Sequence, residues 1–87
     1  MHEMSLMADL MSKAEAVVRN EGGRRAALVR VRLGAMAHMS PSHLRGHFED
    51  FSRGSLLEGA ALEIEQSEDA NDPNAQSVLL LSVDIVD

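Results

Sequence analysis

The chain has 87 residues, 45% of them hydrophobic, and sets 8 Lys+Arg against 14 Asp+Glu for a formal net charge of −6. At this length roughly 60–65% of the unfolded surface is buried on folding, which leaves a thin core and little room for a walled active site. The negative balance repels a phosphate backbone and argues against nucleic-acid binding, while the lack of cysteine excludes disulfides, thiolate zinc sites, iron–sulfur ligation and cysteine nucleophiles.

Met4, Met7, Leu10, Met11, Ala14, Val17 and Val18 recur at steps of three and four, which predicts an amphipathic helix over 4–21. Gly22-Gly23 supplies a left-handed residue to end it. In the next segment Ala27, Val29, Val31 and Leu33 alternate with Leu28, Arg30 and Arg32, the pattern of a strand with one face on the core. Ser40 caps a second helix and Pro41 suits its first position, where a missing N–H costs nothing. Leu44, Phe48 and Phe51 form its apolar stripe, and Gly54 closes it. Leu62 and Ile64 alternate with Glu63 and Glu65 as a second strand. The acidic stretch Ser67–Gln76 reads as a loop, expected to be the most mobile internal segment. A third strand puts Leu79, Leu81, Val83 and Ile85 on one face. The expected fold is α+β, a two-layer sandwich with two helices on one face of a three-stranded sheet in the order α-β-α-β-β. No internal boundary divides residues 1–87.

No apolar run exceeds four residues, against the roughly 20 that a membrane helix needs. His2, Glu3 and Asp9 interrupt what would have to be the basic start and apolar middle of a signal peptide. The expectation is a soluble, cytoplasmic protein without a membrane partner, a monomer or weak dimer.

Conventional catalytic signatures are missing. Gly22-Gly23 is followed by two arginines rather than by the Lys-Ser/Thr of a phosphate loop. No Ser/His/Asp set stands out, and no two carboxylates share an apolar setting, so an enzyme is not expected. The reactive groups that remain are four histidines and six methionines. His43 and His47 stand at i, i+4, a spacing that lets two imidazoles meet one ion. Two ligands without a third make a weak site, and beside Leu44 and Phe48 the pair reads as His47 flanking the core and His43 facing water. His38 carries no pattern of its own. Met1, Met4 and Met7 resemble a copper(I) ligand string, but Met4 and Met7 also lie on the helix stripe, where thioethers fill a small core. His2 differs by position. With Met1 before it, the terminal amine, the His2 amide and the imidazole form fused chelate rings suited to square-planar nickel(II) or copper(II), with the Glu3 amide or an outside group as the fourth donor.

Met1-His2-Glu3-Met4-Ser5-Leu6 resembles the M-H-E-[LMY]-S-[LIV] opening of the HypA/HybF hydrogenase nickel-incorporation proteins. The likeness continues through Val29-Arg30-Val31-Arg32-Leu33-Gly34 and Ser40-Pro41-Ser42-His43-Leu44-Arg45 with Phe48-Glu49. It extends to Gly59-Ala60-Ala61-Leu62-Glu63-Ile64 and Leu80-Leu81-Ser82-Val83-Asp84. The resemblance implies a nickel metallochaperone that holds Ni(II) as cargo at Met1, His2 and Glu3. It also implies a hydrogenase-maturation GTPase or a hydrogenase large subunit as partner. The departures are two. The family's zinc module, with its C-x-x-C pairs between the last two strands, is replaced by residues 67–77, so no zinc is expected. The acidic position before the second helix is Ser40. The resemblance implies that the module sits in a loop between neighbouring antiparallel strands, so a turn of roughly ten residues replaces it at little entropic cost. A paralogue that delivers no metal and acts as an interaction module in hydrogenase assembly is the alternative, and a copper-binding protein using the same chelate is a third reading.

Overall fold

The computed structural model describes residues 3–87, with side chains from Ser5 onward. Helix α1 (Glu3–Asn20) is followed by strand β1 (Arg25–Leu33), helix α2 (Pro41–Ser52), strand β2 (Ala61–Gln66) and strand β3 (Val78–Val86). The α+β layering and the element order agree with the expectation from the sequence.

Met7, Leu10, Met11, Ala14 and Val18 of α1 are buried, so the three–four spacing lies against the sheet as a stripe. The helix ends where the sequence sets its glycines. Gly22 takes φ 71°, Gly23 N–H donates to Val18 C=O at 3.0 Å, and Gly22 N–H donates to Arg19 C=O at 3.1 Å. This pair of bonds satisfies carbonyls that the last turn leaves open. Gly23 has a second constraint, since a Cβ there would collide with Ile85 of β3.

The sheet order is β2-β1-β3. β1 pairs in parallel with β2 and antiparallel with β3, as a strand–helix–strand crossover through α2 requires for the parallel pair. The third strand therefore joins the free side of β1 rather than β2. The expectation that residues 67–77 link neighbouring strands does not hold. Gln66 and Val78 flank Leu33 from opposite sides, so the segment spans two strand spacings, about 9.5 Å, across the end of β1. It is fastened as it crosses: Ser67 N–H donates to Leu33 C=O at 2.9 Å, Gly34 N–H to Ser77 C=O at 2.9 Å, and Met36 N–H to Ala75 C=O at 2.7 Å. Ala75 is buried, and a Cβ at Gly34 would collide with the backbone of Asn74 and Ala75. The segment 67–77 thus has a docked half and an exposed half. In the exposed half the Asp69 carboxylate accepts from Asn71 N–H at 2.9 Å, a side-chain-closed turn.

Two register shifts move side chains between faces. One, between Ala26 and Leu28, buries Ala26 and leaves Ala27 exposed, the reverse of the simple alternation. The other skips Leu81, since Arg30 pairs with Ser82 while Val31 pairs with Leu80. Val78 and Leu80 therefore pack on the core with Val83 and Ile85, and Leu81 is 43% exposed. Inserting one residue in a strand flips every later side chain relative to its partner, so the sequence alternation 79-81-83-85 is broken at 81.

In α2, Leu44 and Phe48 are buried and Phe51 packs at the edge of the core. The Ser40 hydroxyl accepts from His43 N–H at 3.1 Å as the helix cap, with Pro41 in the first turn. The opposite face of the sheet carries a charge ladder. Arg30 pairs with Glu63 at 3.0 Å and Asp84 at 3.5 Å, and Arg32 with Glu65 at 3.1 Å. These are exposed pairs worth at most about 1 kcal/mol each. They mark the face away from the core. Among the described residues no helix is long and apolar enough to cross a membrane.

Candidate metal-binding residues

Met1 and His2 lie outside the described residues, and Glu3 is the first residue of α1. The expected chelate is thus defined by its place in the chain, the two residues before α1 and the first residue of it. A terminal amine, an amide and an imidazole in one covalent stretch need no tertiary contact to come together.

The remaining donors have clear positions. Met7 and Met11 are buried in the core, and Met39 is buried in the connection between β1 and α2. A thioether string beginning at Met1 could not include Met7 without opening the core, so the packing role expected for it stands. Met36 is 43% exposed and lines an open depression of about 300 Å³ with Leu33, Gly34, His38, Met39 and Gln66. His38 is exposed and takes φ 55°, a left-handed conformation in which His is several-fold enriched. It makes the turn that returns the chain to the core at Met39.

α2 carries His43 and His47 on one flank of its buried stripe. His43 is exposed and His47 half-buried, as the helix phase predicts. Their ring centroids lie 4.6 Å apart with a tilt of 31°. Phe51 stands one turn further on, in a T-shaped arrangement with the His47 ring at a centroid distance of 6.5 Å. Ser40, which stands where the resemblance would place an acidic side chain, is used as the helix cap, and its hydroxyl also lies 3.3 Å from that of Ser42. Arg45 donates to Leu62 C=O at 2.9 Å, so its charge is directed at β2 and away from the histidines. Among the described residues no three His, Asp or Glu side chains gather to hold an ion.

Part of the frame around these groups carries no signal in the sequence. Leu57, fully buried, and Ala37 sit in irregular segments where no periodicity exists to reveal them. Glu15 belongs to no motif either. Its carboxylate accepts from Leu56 N–H at 3.3 Å and pairs with Arg19 at 3.6 Å, tying α1 to the segment before β2.

These features define a small α+β domain, two helices on one face of a three-stranded sheet. The chain belongs to the HypA family. The family model that matches, over residues 1–71, is described as hydrogenase/urease nickel incorporation, metallochaperone, hypA. Curated relatives include hydrogenase maturation factor HypA of Methylocella silvestris, 38% identical over 65 residues, which are 75% of this chain and 58% of that protein. The corresponding factor of Dechloromonas aromatica is 38% identical over 64 residues, covering 74% of this chain and 57% of that protein. The chain thus matches somewhat more than half the length of these relatives. The fold is that of the solution structure of the Ni metallochaperone HypA from Helicobacter pylori. The TM-score is 0.80 at 21% identity, and the match covers 99% of this chain and 98% of that one. A second solution structure of a HypA protein gives a TM-score of 0.74, also at 21% identity, over 98% of this chain and 96% of that one.

Proposed function

We propose that this chain is a nickel carrier for hydrogenase maturation, and that it holds Ni(II) at Met1, His2 and Glu3. The observation that supports the reading is the family match beginning at residue 1, which includes the Met-His-Glu opening. In this scheme Met1 gives its amine, His2 its deprotonated amide and its imidazole, and Glu3 its amide, with the Glu3 carboxylate left to steer a partner. The planar, nitrogen-rich set suits Ni(II). Affinity falls as pH drops, because protons compete for the amine, amide and imidazole together. The carrier acts in the cytoplasm and passes its ion to a maturation GTPase or to the hydrogenase large subunit, without enzymatic turnover. In this reading the segment 67–77 takes the place of the family's zinc module.

A titration of protein whose first residue is Met1 with nickel, copper and zinc tests the proposal. The carrier binds one Ni(II) at its N-terminus and loses it when Met1 is acetylated or His2 is replaced by Ala. A chain that serves purely as an interaction module binds no nickel there, and a copper protein binds Cu(II) while rejecting Ni(II) at matched ligand concentration.

A further inference from the structure

Four methionines have described side chains, and three of them are closed off from solvent: Met7, Met11 and Met39 are at most 9% exposed, whereas Met36 is 43% exposed. Met36 also occupies a junction. On one side it lines the depression of about 300 Å³ floored by Leu33 and Gly34. On the other it lines a second one of about 360 Å³, with Ala70, Pro73, Ala75 and Gln76 of the connecting segment. Its own N–H donates to Ala75 C=O at 2.7 Å, so the residue stands where the docked half of segment 67–77 meets the turn after β1. We propose that Met36 is a peroxide-reactive modification site, and that its sulfoxide loosens the docked half of that segment.

The chemistry is a two-electron oxygen transfer. The thioether sulfur attacks one oxygen of hydrogen peroxide and the O–O bond breaks. That oxygen stays on sulfur, its proton passes to the departing hydroxide, and water leaves; sulfur is oxidised by two electrons and the peroxide is reduced. The reaction needs access. With no cysteine in the chain, no thiolate competes for the oxidant. Met7, Met11 and Met39 react only after local opening of the fold. The product is polar where the thioether was apolar. The covered part of the Met36 side chain then favours water over the wall it shared with Ala75 and Pro73. Losing about half of one methionine's burial shifts the closing equilibrium about three- to tenfold toward the open form. The bonds that open are those from Gly34 N–H to Ser77 C=O and from Met36 N–H to Ala75 C=O. A sulfoxide reductase reverses the change. The inference does not depend on the nickel reading.

The test treats the full, metal-free chain with hydrogen peroxide in the presence of a chelator and follows each methionine by peptide mass spectrometry. Met36 is expected to oxidise at least about tenfold faster than Met7, Met11 and Met39. Hydrogen exchange of the oxidised chain then shows the amides of Gly34 and Met36 about three- to tenfold faster than before, and a methionine sulfoxide reductase restores the original rates. Met36→Gln, which carries a polar group without peroxide, reproduces the faster exchange. Met36→Leu, whose fold circular dichroism verifies, keeps the slow exchange before and after peroxide. The proposal is overturned if Met7, Met11 or Met39 oxidises as fast as Met36. It is equally overturned if the sulfoxide leaves both amides unchanged, or if peroxide accelerates them in the Met36→Leu chain as well.

Discussion

The thioethers of α1 and the imidazoles of α2 are both metal donors at helical spacing, yet they meet opposite fates. Met7 and Met11 are buried against the sheet, whereas His43 is exposed and His47 half-buried at the edge of the core. The difference arises from where each residue falls relative to the apolar stripe of its helix. Met7 and Met11 are the stripe of α1, together with Leu10, Ala14 and Val18. On α2 the stripe is Leu44 and Phe48, and the histidines stand one position before each of them. Donor chemistry alone does not make a ligand; the helix phase decides whether the donor is spent on packing.

The largest effect expected from this contrast is on stability. Met7→Ala removes a fully buried side chain and lowers unfolding free energy by about 2–5 kcal/mol, measured by urea denaturation, with nickel stoichiometry unchanged where the chain remains folded. Gly34→Ala forces a methyl group into the backbone of Asn74 and Ala75 and costs about 1–3 kcal/mol. The same substitution raises hydrogen exchange at the amides of Gly34 and Met36, which donate into the docked segment. In the wild-type chain the amide of Met36 is protected and those of 68–70 are not; uniform exchange across both would mean the segment is not docked. Ser40→Ala removes the cap of α2 and costs about 1 kcal/mol. His43→Ala stays within about 0.5 kcal/mol of wild type, because its side chain is exposed rather than packed in the core. A chelator leaves the thermal midpoint of the chain nearly unmoved, since the apolar stripes and not an ion close the core.

The sequence alone yields both helices, both caps and the layer arrangement, because apolar spacing, the Ser40-Pro41 start and the Gly22-Gly23 stop are local signals. Three features lie beyond it for physical reasons. The side of β1 on which β3 docks depends on pairing between residues 45 to 61 positions apart, and no local pattern encodes it. The register shifts at Ala27 and Leu81 insert single residues that reverse the facing of the strand beyond them, so strict alternation puts Ala27 and Leu81 inward when they face out. Leu57 and Ala37 are core residues in irregular segments, where burial has no period. Of the candidate donors, the sequence places His43 and His47 correctly on the flank of α2. His2, proposed as a donor from its position behind Met1, lies outside the described residues.

The most direct test of the nickel-carrier account is the absorption spectrum of the chain titrated with Ni(II), with Met1 free and with Met1 acetylated. A square-planar amine–amide–imidazole chelate gives a visible ligand-field band with diamagnetic nickel, whereas hydrated nickel is paramagnetic and six-coordinate. The account predicts that the square-planar band grows to one equivalent in the free-amine protein and is absent from the acetylated one. A band of equal strength in the acetylated protein, or none in either, would contradict it.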